Sequence, residues 1–122
     1  MKFEREQAEG KNSFTGYGEG YVEVNRRRHG ASLVVDATRL VTDWPVTSVG
    51  GLGADHMAAI VELQPEIVLL GTGAVLHFPE PALLAPLYKA GIGVEVMDTP
   101  AACRTYNILL GEGRNVVAAL IV

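Results

Sequence analysis

The chain has 122 residues, 48% of them hydrophobic and 20% charged, the balance of one globular domain with a core to bury. Its formal charge of −4 argues against a general nucleic-acid binder, because neutralising phosphates needs a basic face. The single cysteine, Cys103, excludes an internal disulfide and any multi-cysteine metal site, and it fits a reducing compartment.

Met1 to Gln7 carries both signs of charge with no apolar block after it, which is not the pattern of a signal peptide. No apolar run approaches the ~18 residues of a membrane helix. A soluble, cytoplasmic chain, not inserted in a membrane, is therefore expected.

Residues 1–13 are polar and predict a loose arm ahead of a single domain over 14–122. From Phe14 to Val24 aromatic residues alternate with Gly16, Gly18 and Gly20, as in a strand with bulges or a close backbone approach. The one basic run, Arg26-Arg27-Arg28 with His29, lies between the strand-like Tyr21–Val24 and Ala31–Val35 and is closed by Gly30. It reads as a solvated turn, with Ser32–Val35 folding back on the preceding strand as an antiparallel hairpin.

After Asp43-Trp44-Pro45, a short apolar stretch and the loop Gly50–Gly53 lead to a helix from about Asp55. Met57, Ile60, Val61 and Leu63 fall on or near one of its faces, and Pro65 ends it. Ile67–Leu70 is a continuous apolar run, expected for a strand covered on both faces, and it stops at Gly71-Thr72-Gly73. Pro79-Glu80-Pro81 opens a second helix to Ala90, with Leu83, Leu84, Leu87 and Tyr88 at helical spacing. Gly93–Met97 is a further strand, so that strand, helix and strand span the length of a crossover unit with parallel strands. Thr99 is placed to cap a third helix, with Pro100 in its first position and its end near Leu110. Val116–Val122 is wholly apolar and predicts a central strand. The fold class is α/β.

In an open α/β sheet ligands bind outside the carboxyl ends of the parallel strands, which here places the loops Gly71–Phe78 and Asp98–Pro100 together. Free N–H groups at the start of the third helix suit an anion or a carboxylate, and Arg104 and Asn107 share a face of that helix. With Gly71, Thr72 and Gly73 they make a candidate pocket for a small anion or for a partner's acidic group. The competing reading has Arg104 fasten the loops, by pairing with Asp98 or with carbonyl groups.

Other chemistries have less support. Gly71-Thr72-Gly73 follows a strand, but Leu76 stands where a dinucleotide fingerprint needs its third glycine, and His77-Phe78-Pro79 delays the helix. Gly50–Gly53 lacks the lysine and hydroxyl of a phosphate loop. Cys103 stands in the first turns of a helix but has no base near it in sequence, so a buried cysteine is the simpler reading. His29, His56 and His77 lack paired spacing, and no metal or cofactor is expected.

Two segments resemble a known family: Ile67-Val68-Leu69-Leu70-Gly71-Thr72-Gly73, and Val94-Glu95-Val96-Met97-Asp98-Thr99-Pro100-Ala101-Ala102-Cys103-Arg104-Thr105-Tyr106-Asn107. The closing Gly111-Glu112-Gly113-Arg114-Asn115-Val116-Val117-Ala118-Ala119-Leu120 does so too. The family is one of unknown function that includes a mitochondrial respiratory complex I assembly factor and an adipogenesis-associated protein. The resemblance covers roughly residues 14 to 122 and implies a three-layer α/β fold with a mixed central sheet, to which the residues themselves add an N-terminal antiparallel hairpin and about three helices. It places Gly71, Thr72, Gly73, Asp98, Thr99, Arg104, Thr105, Asn107 and Arg114 on shared motifs and brings no catalytic role. A protein-binding, assembly-factor-like module is thus the leading expectation. The alternative is a binder of a small anionic metabolite, or an enzyme, using the Gly71–Gly73 and Arg104 crevice. A third reading is a structural subunit, either monomeric or a small homo-oligomer.

Overall fold

The computed structural model describes residues 10–122. The start of the chain up to residue 9, and with it most of the expected arm, lies outside the described residues. Asn12 and Ser13, the end of that arm, are fastened. The Asn12 backbone N–H donates to Ala37 O at 2.9 Å and its side-chain amide to Asp36 O at 3.1 Å.

A three-stranded antiparallel sheet comes first, built from β1 (Phe14–Gly18), β2 (Tyr21–Val24) and β3 (Arg27–His29) in that order. The basic run is thus not simply a turn. Asn25 and Arg26, at φ 50° and 69°, make a two-residue reversal between Val24 and Arg27, which pair across it, and Arg27, Arg28 and His29 are a strand. Asparagine tolerates the left-handed region, so the turn falls one residue earlier than the arginines suggest.

The second sheet has five strands in the order β5-β4-β8-β6-β7: β4 (Leu33–Val35), β5 (Leu40–Val41), β6 (Ile67–Thr72), β7 (Gly93–Met97) and β8 (Val116–Ile121). The expected pairing of Ser32–Val35 with Tyr21–Val24 does not form. Leu33, Val34 and Val35 are all buried and pair antiparallel with β8 and β5. Three consecutive buried side chains need cover on both faces, which a surface hairpin cannot supply. As expected, β6 and β7 are parallel and β8 is central, parallel to β6.

Among the described residues there are three α-helices: α1 (Ala54–Glu62), α2 (Pro81–Lys89) and α3 (Thr99–Gly111). Alternation along the strands sorts their side chains into two cores. Val68, Leu70, Val117 and Ala119 pack with Met57 of α1 and with Leu84 and Leu87 of α2. Leu69, Ala118 and Leu120 face the other way, against Ala102, Cys103 and Tyr106 of α3 and Phe14, Val22 and Val24 of the small sheet. The result is three layers around a mixed sheet. Since α2 and α3 lie on opposite faces, the chain steps outward from β6 to β7 and returns across β6 to β8, as doubly wound sheets do.

Candidate functional site

The carboxyl ends of β6 and β8 meet the start of α3 around one hydroxyl. Thr99 Oγ1 donates to Ile121 O at 2.6 Å and accepts from the Gly73 N–H at 2.8 Å, while the Thr99 N–H donates to Gly73 O at 2.8 Å. Gly73 itself stands at φ +97°, where a side chain is strained. Gly71 is required for a different reason. A Cβ there would lie 2.6 Å from a Leu120 methyl and 2.9 Å from Thr99 Oγ1, so only hydrogen lets the helix approach the strand. Thr72 Oγ1 donates to Val75 O at 2.8 Å and accepts from the His77 N–H at 3.1 Å, which fixes the loop that follows.

The cap of α3 is Asp98 and not Thr99. Asp98 Oδ1 accepts from the Ala101 N–H at 2.9 Å, and the threonine hydroxyl is drawn into the sheet instead. This overturns the basis of the anion expectation. The Thr99 N–H is bound to Gly73, Pro100 has no N–H, and the Ala101 and Ala102 N–H groups both go to Asp98. The first turn keeps no donor for a ligand.

Arg104 is exposed and, among the described residues, pairs with neither Asp98 nor a carbonyl. Its Nη1 donates to Tyr17 Oη at 2.6 Å, linking α3 to β1. One turn on, the Asn107 amide is buried and stands in for a neighbouring strand, accepting from the Phe14 N–H at 2.9 Å and donating to Phe14 O at 2.7 Å. Thr105 is half-buried on the same helix. Arg114 is apart from the rest, paired with Glu66 at the amino ends of β8 and β6, the opposite edge of the sheet. Of the nine motif residues, Gly71, Thr72, Gly73, Asp98 and Thr99 therefore form one cluster, Arg104 and Asn107 fasten the small sheet, Thr105 stays half-buried on α3 without joining either group, and Arg114 joins neither.

Cys103 is fully buried, and burial pushes its thiol up to about 12 despite the opposing charge of Arg104, so it stands as a core residue and not a nucleophile. His56 Nδ1 accepts from the Gly53 N–H at 2.9 Å at the start of α1. Among the described residues no group of three or more His, Cys, Asp or Glu gathers to hold a metal.

Two features of this edge escaped sequence reasoning. A cleft of about 390 Å³ opens between the β1–β2 turn and the cluster, walled by Tyr17, Tyr21, Ala74, Pro100 and Ile121 among others. The signal was the alternation of tyrosine with Gly18 and Gly20. The loop beyond Gly73 also carries bare apolar side chains: Val75 is 62% exposed, Leu76 44% and Phe78 73%. Phe78 borders a second hollow of about 580 Å³ with Val49, Leu52 and Leu83.

Residues 14–121 match the model of a family described as a protein of unknown function, DUF498/DUF598. The chain belongs to that family. Among DUF498/DUF598 relatives, the NADH dehydrogenase [ubiquinone] 1 alpha subcomplex assembly factor 3 of Bos taurus is 41% identical over 104 residues, 84% of this chain and 55% of the relative. The chain thus spans about half the length of the assembly factors it matches. A protein of Francisella tularensis named 13 kDa major membrane protein is 29% identical, with 99% of each covered. The crystal structure of a Bordetella parapertussis protein superposes with a TM-score of 0.86 at 43% identity, covering 93% of this chain and 98% of the other. Among the described residues no helix is long and apolar enough to cross a membrane.

Proposed function

We propose that this DUF498/DUF598 chain is a non-catalytic protein-binding module of assembly-factor type. It meets its partner with the loop of residues 73–78 and the Arg104 side of α3. The observation that carries the reading is the exposure of Val75, Leu76 and Phe78 on a loop whose backbone Thr72 fastens at Val75 and His77. Apolar side chains on a fastened backbone lose less entropy on docking, and a buried aromatic anchor dominates many interfaces. Relatives named as complex I assembly factors support this role and suggest membrane-complex subunits as partners. A cytoplasmic placement is part of the proposal, any membrane contact being made through the partner.

The test is affinity capture of the tagged protein from its native lysate, beside Phe78→Ser and Arg104→Ala variants shown by circular dichroism to be folded at the temperature of the experiment. Subunits of a membrane complex captured by the parent and lost from both variants are the expected result. Equal capture by all three proteins, or turnover of a defined substrate by the purified chain, overturns the reading.

A further inference from the structure

The cleft under the β1–β2 turn lies where open α/β sheets take ligands, and its volume of about 390 Å³ is within the range of small-molecule sites. Its walls decide what fits. Tyr17 and Tyr21 come from the hairpin, Ile121 and Val122 from the end of the central strand, and Pro100 from the helix. Gly73 borders open space, since a Cβ there would meet nothing within 4 Å. The rings are set in place beforehand. Tyr21 lies so close over Gly18 that a Cβ there would come within 2.4 Å of the ring, and the Arg28 guanidinium sits 4.2 Å from its centroid.

Charge and hydrogen bonding exclude the ligand that position alone would suggest. Among the described residues Glu19 is the only charged side chain of the lining, and no lysine, arginine or histidine contributes to it. The polar groups at its floor serve the fold: the Gly73 N–H goes to Thr99 and the Thr99 hydroxyl to Ile121. An anion entering here would lose its hydration against a carboxylate, while the nearby guanidiniums of Arg28 and Arg104 lie outside the lining and are already engaged with the Tyr21 ring and the Tyr17 hydroxyl. A flat uncharged ring would instead bury apolar surface against two tyrosines and an aliphatic wall.

We propose that this cleft binds a small, uncharged, ring-bearing molecule of the size class of indole or a cresol. The cleft shares Gly73 and Ala74 with the proposed partner loop, but none of that loop's exposed apolar side chains, Val75, Leu76 and Phe78, lines it. Titration of the isotope-labelled chain with indole, and separately with inorganic phosphate, is followed by amide NMR. Expected are saturable shifts at Gly18, Gly20, Gly73 and Ala74 with indole and none with phosphate. Ala74→Phe, which fills the mouth from an exposed position, weakens indole by about tenfold or more, whereas Ala82→Phe beside the second hollow leaves it unchanged. The proposal is overturned if indole gives no saturable shift at those amides, if phosphate moves them, or if Ala82→Phe weakens indole as much as Ala74→Phe.

Discussion

Replacing Asn107 by alanine tests whether that buried amide serves the fold or a ligand. Asn107 and Phe14 are each 2% exposed, and the two bonds between them join positions 93 residues apart. Asn107→Ala leaves a buried N–H and a buried C=O without partners. At about 1–3 kcal/mol for each group the loss is about 2–6 kcal/mol, a large part of the roughly 5–15 kcal/mol that holds a domain of this size. At a urea slope of about 2 kcal/mol per M the unfolding midpoint falls by about 1–3 M. Asn107→Asp is no rescue, because a carboxylate cannot donate to Phe14 O and carries charge into the core. Urea unfolding followed by circular dichroism measures both variants beside Arg104→Ala, which gives up one partly buried, charge-assisted hydrogen bond and a ring contact with Tyr17 and should lose about 1.5–3 kcal/mol. If Asn107→Ala lost less than about 1 kcal/mol with its urea slope unchanged, the amide would not be what anchors β1, and the reasoning would be refuted.

Thr99→Val keeps the shape of Thr99 but removes the hydroxyl that serves both Gly73 and Ile121, and should lose about 2–4 kcal/mol while Thr99→Ser stays within about 1 kcal/mol of the parent. Hydrogen exchange at the Gly73 amide reads this directly, and protection retained in Thr99→Val would contradict it. Gly71→Ala forces Leu120 and the α3 backbone apart and should cost about 1–3 kcal/mol in thermal or urea unfolding. The folded chain holds the Cys103 proton to about 12 where the unfolded thiol loses it near 9.0, so the native state binds the extra proton between those values. Stability should fall as pH rises from about 9 towards 12, and Tyr106, whose burial raises its phenol, adds in the same direction. Melting temperatures over that range should decline less steeply in Cys103→Ala, and parallel slopes would exclude the thiol as a cause.

The elements from Ile67 onward are legible in the sequence because each obeys a local rule. Apolar runs end at glycine, proline opens helices, and two parallel strands flank a helix of ordinary length. What escaped depends on partners distant along the chain. Leu33–Val35 reads locally as the partner of the strand before it, and its pairing with β8 instead follows from the burial of all three side chains, with α3 in the core on one face and Trp44 and Val46 in the core on the other. The capping of α3 turned on a similar competition. Asp98 and Thr99 are both good caps, and the tie is broken by Ile121 O, a group 22 residues further on.

The same competition explains why motif residues that look like a ligand site offer so little to one. Gly71, Thr72, Gly73, Asp98 and Thr99 gather at the edge where α/β proteins bind anions, but their donors and acceptors are turned inward to join β6, β8 and α3. Once these groups are satisfied, the features left facing solvent are apolar: the tyrosine-walled cleft on one side of the Gly73 junction and Val75, Leu76 and Phe78 on the other. A polar cluster that is internally complete fixes position without supplying charge. The motif is therefore better understood as the frame that holds two apolar surfaces at a set distance and angle, so that a change at Thr99 should disturb the cleft and the loop together, while a change at Phe78 or Ala74 should disturb one and spare the other.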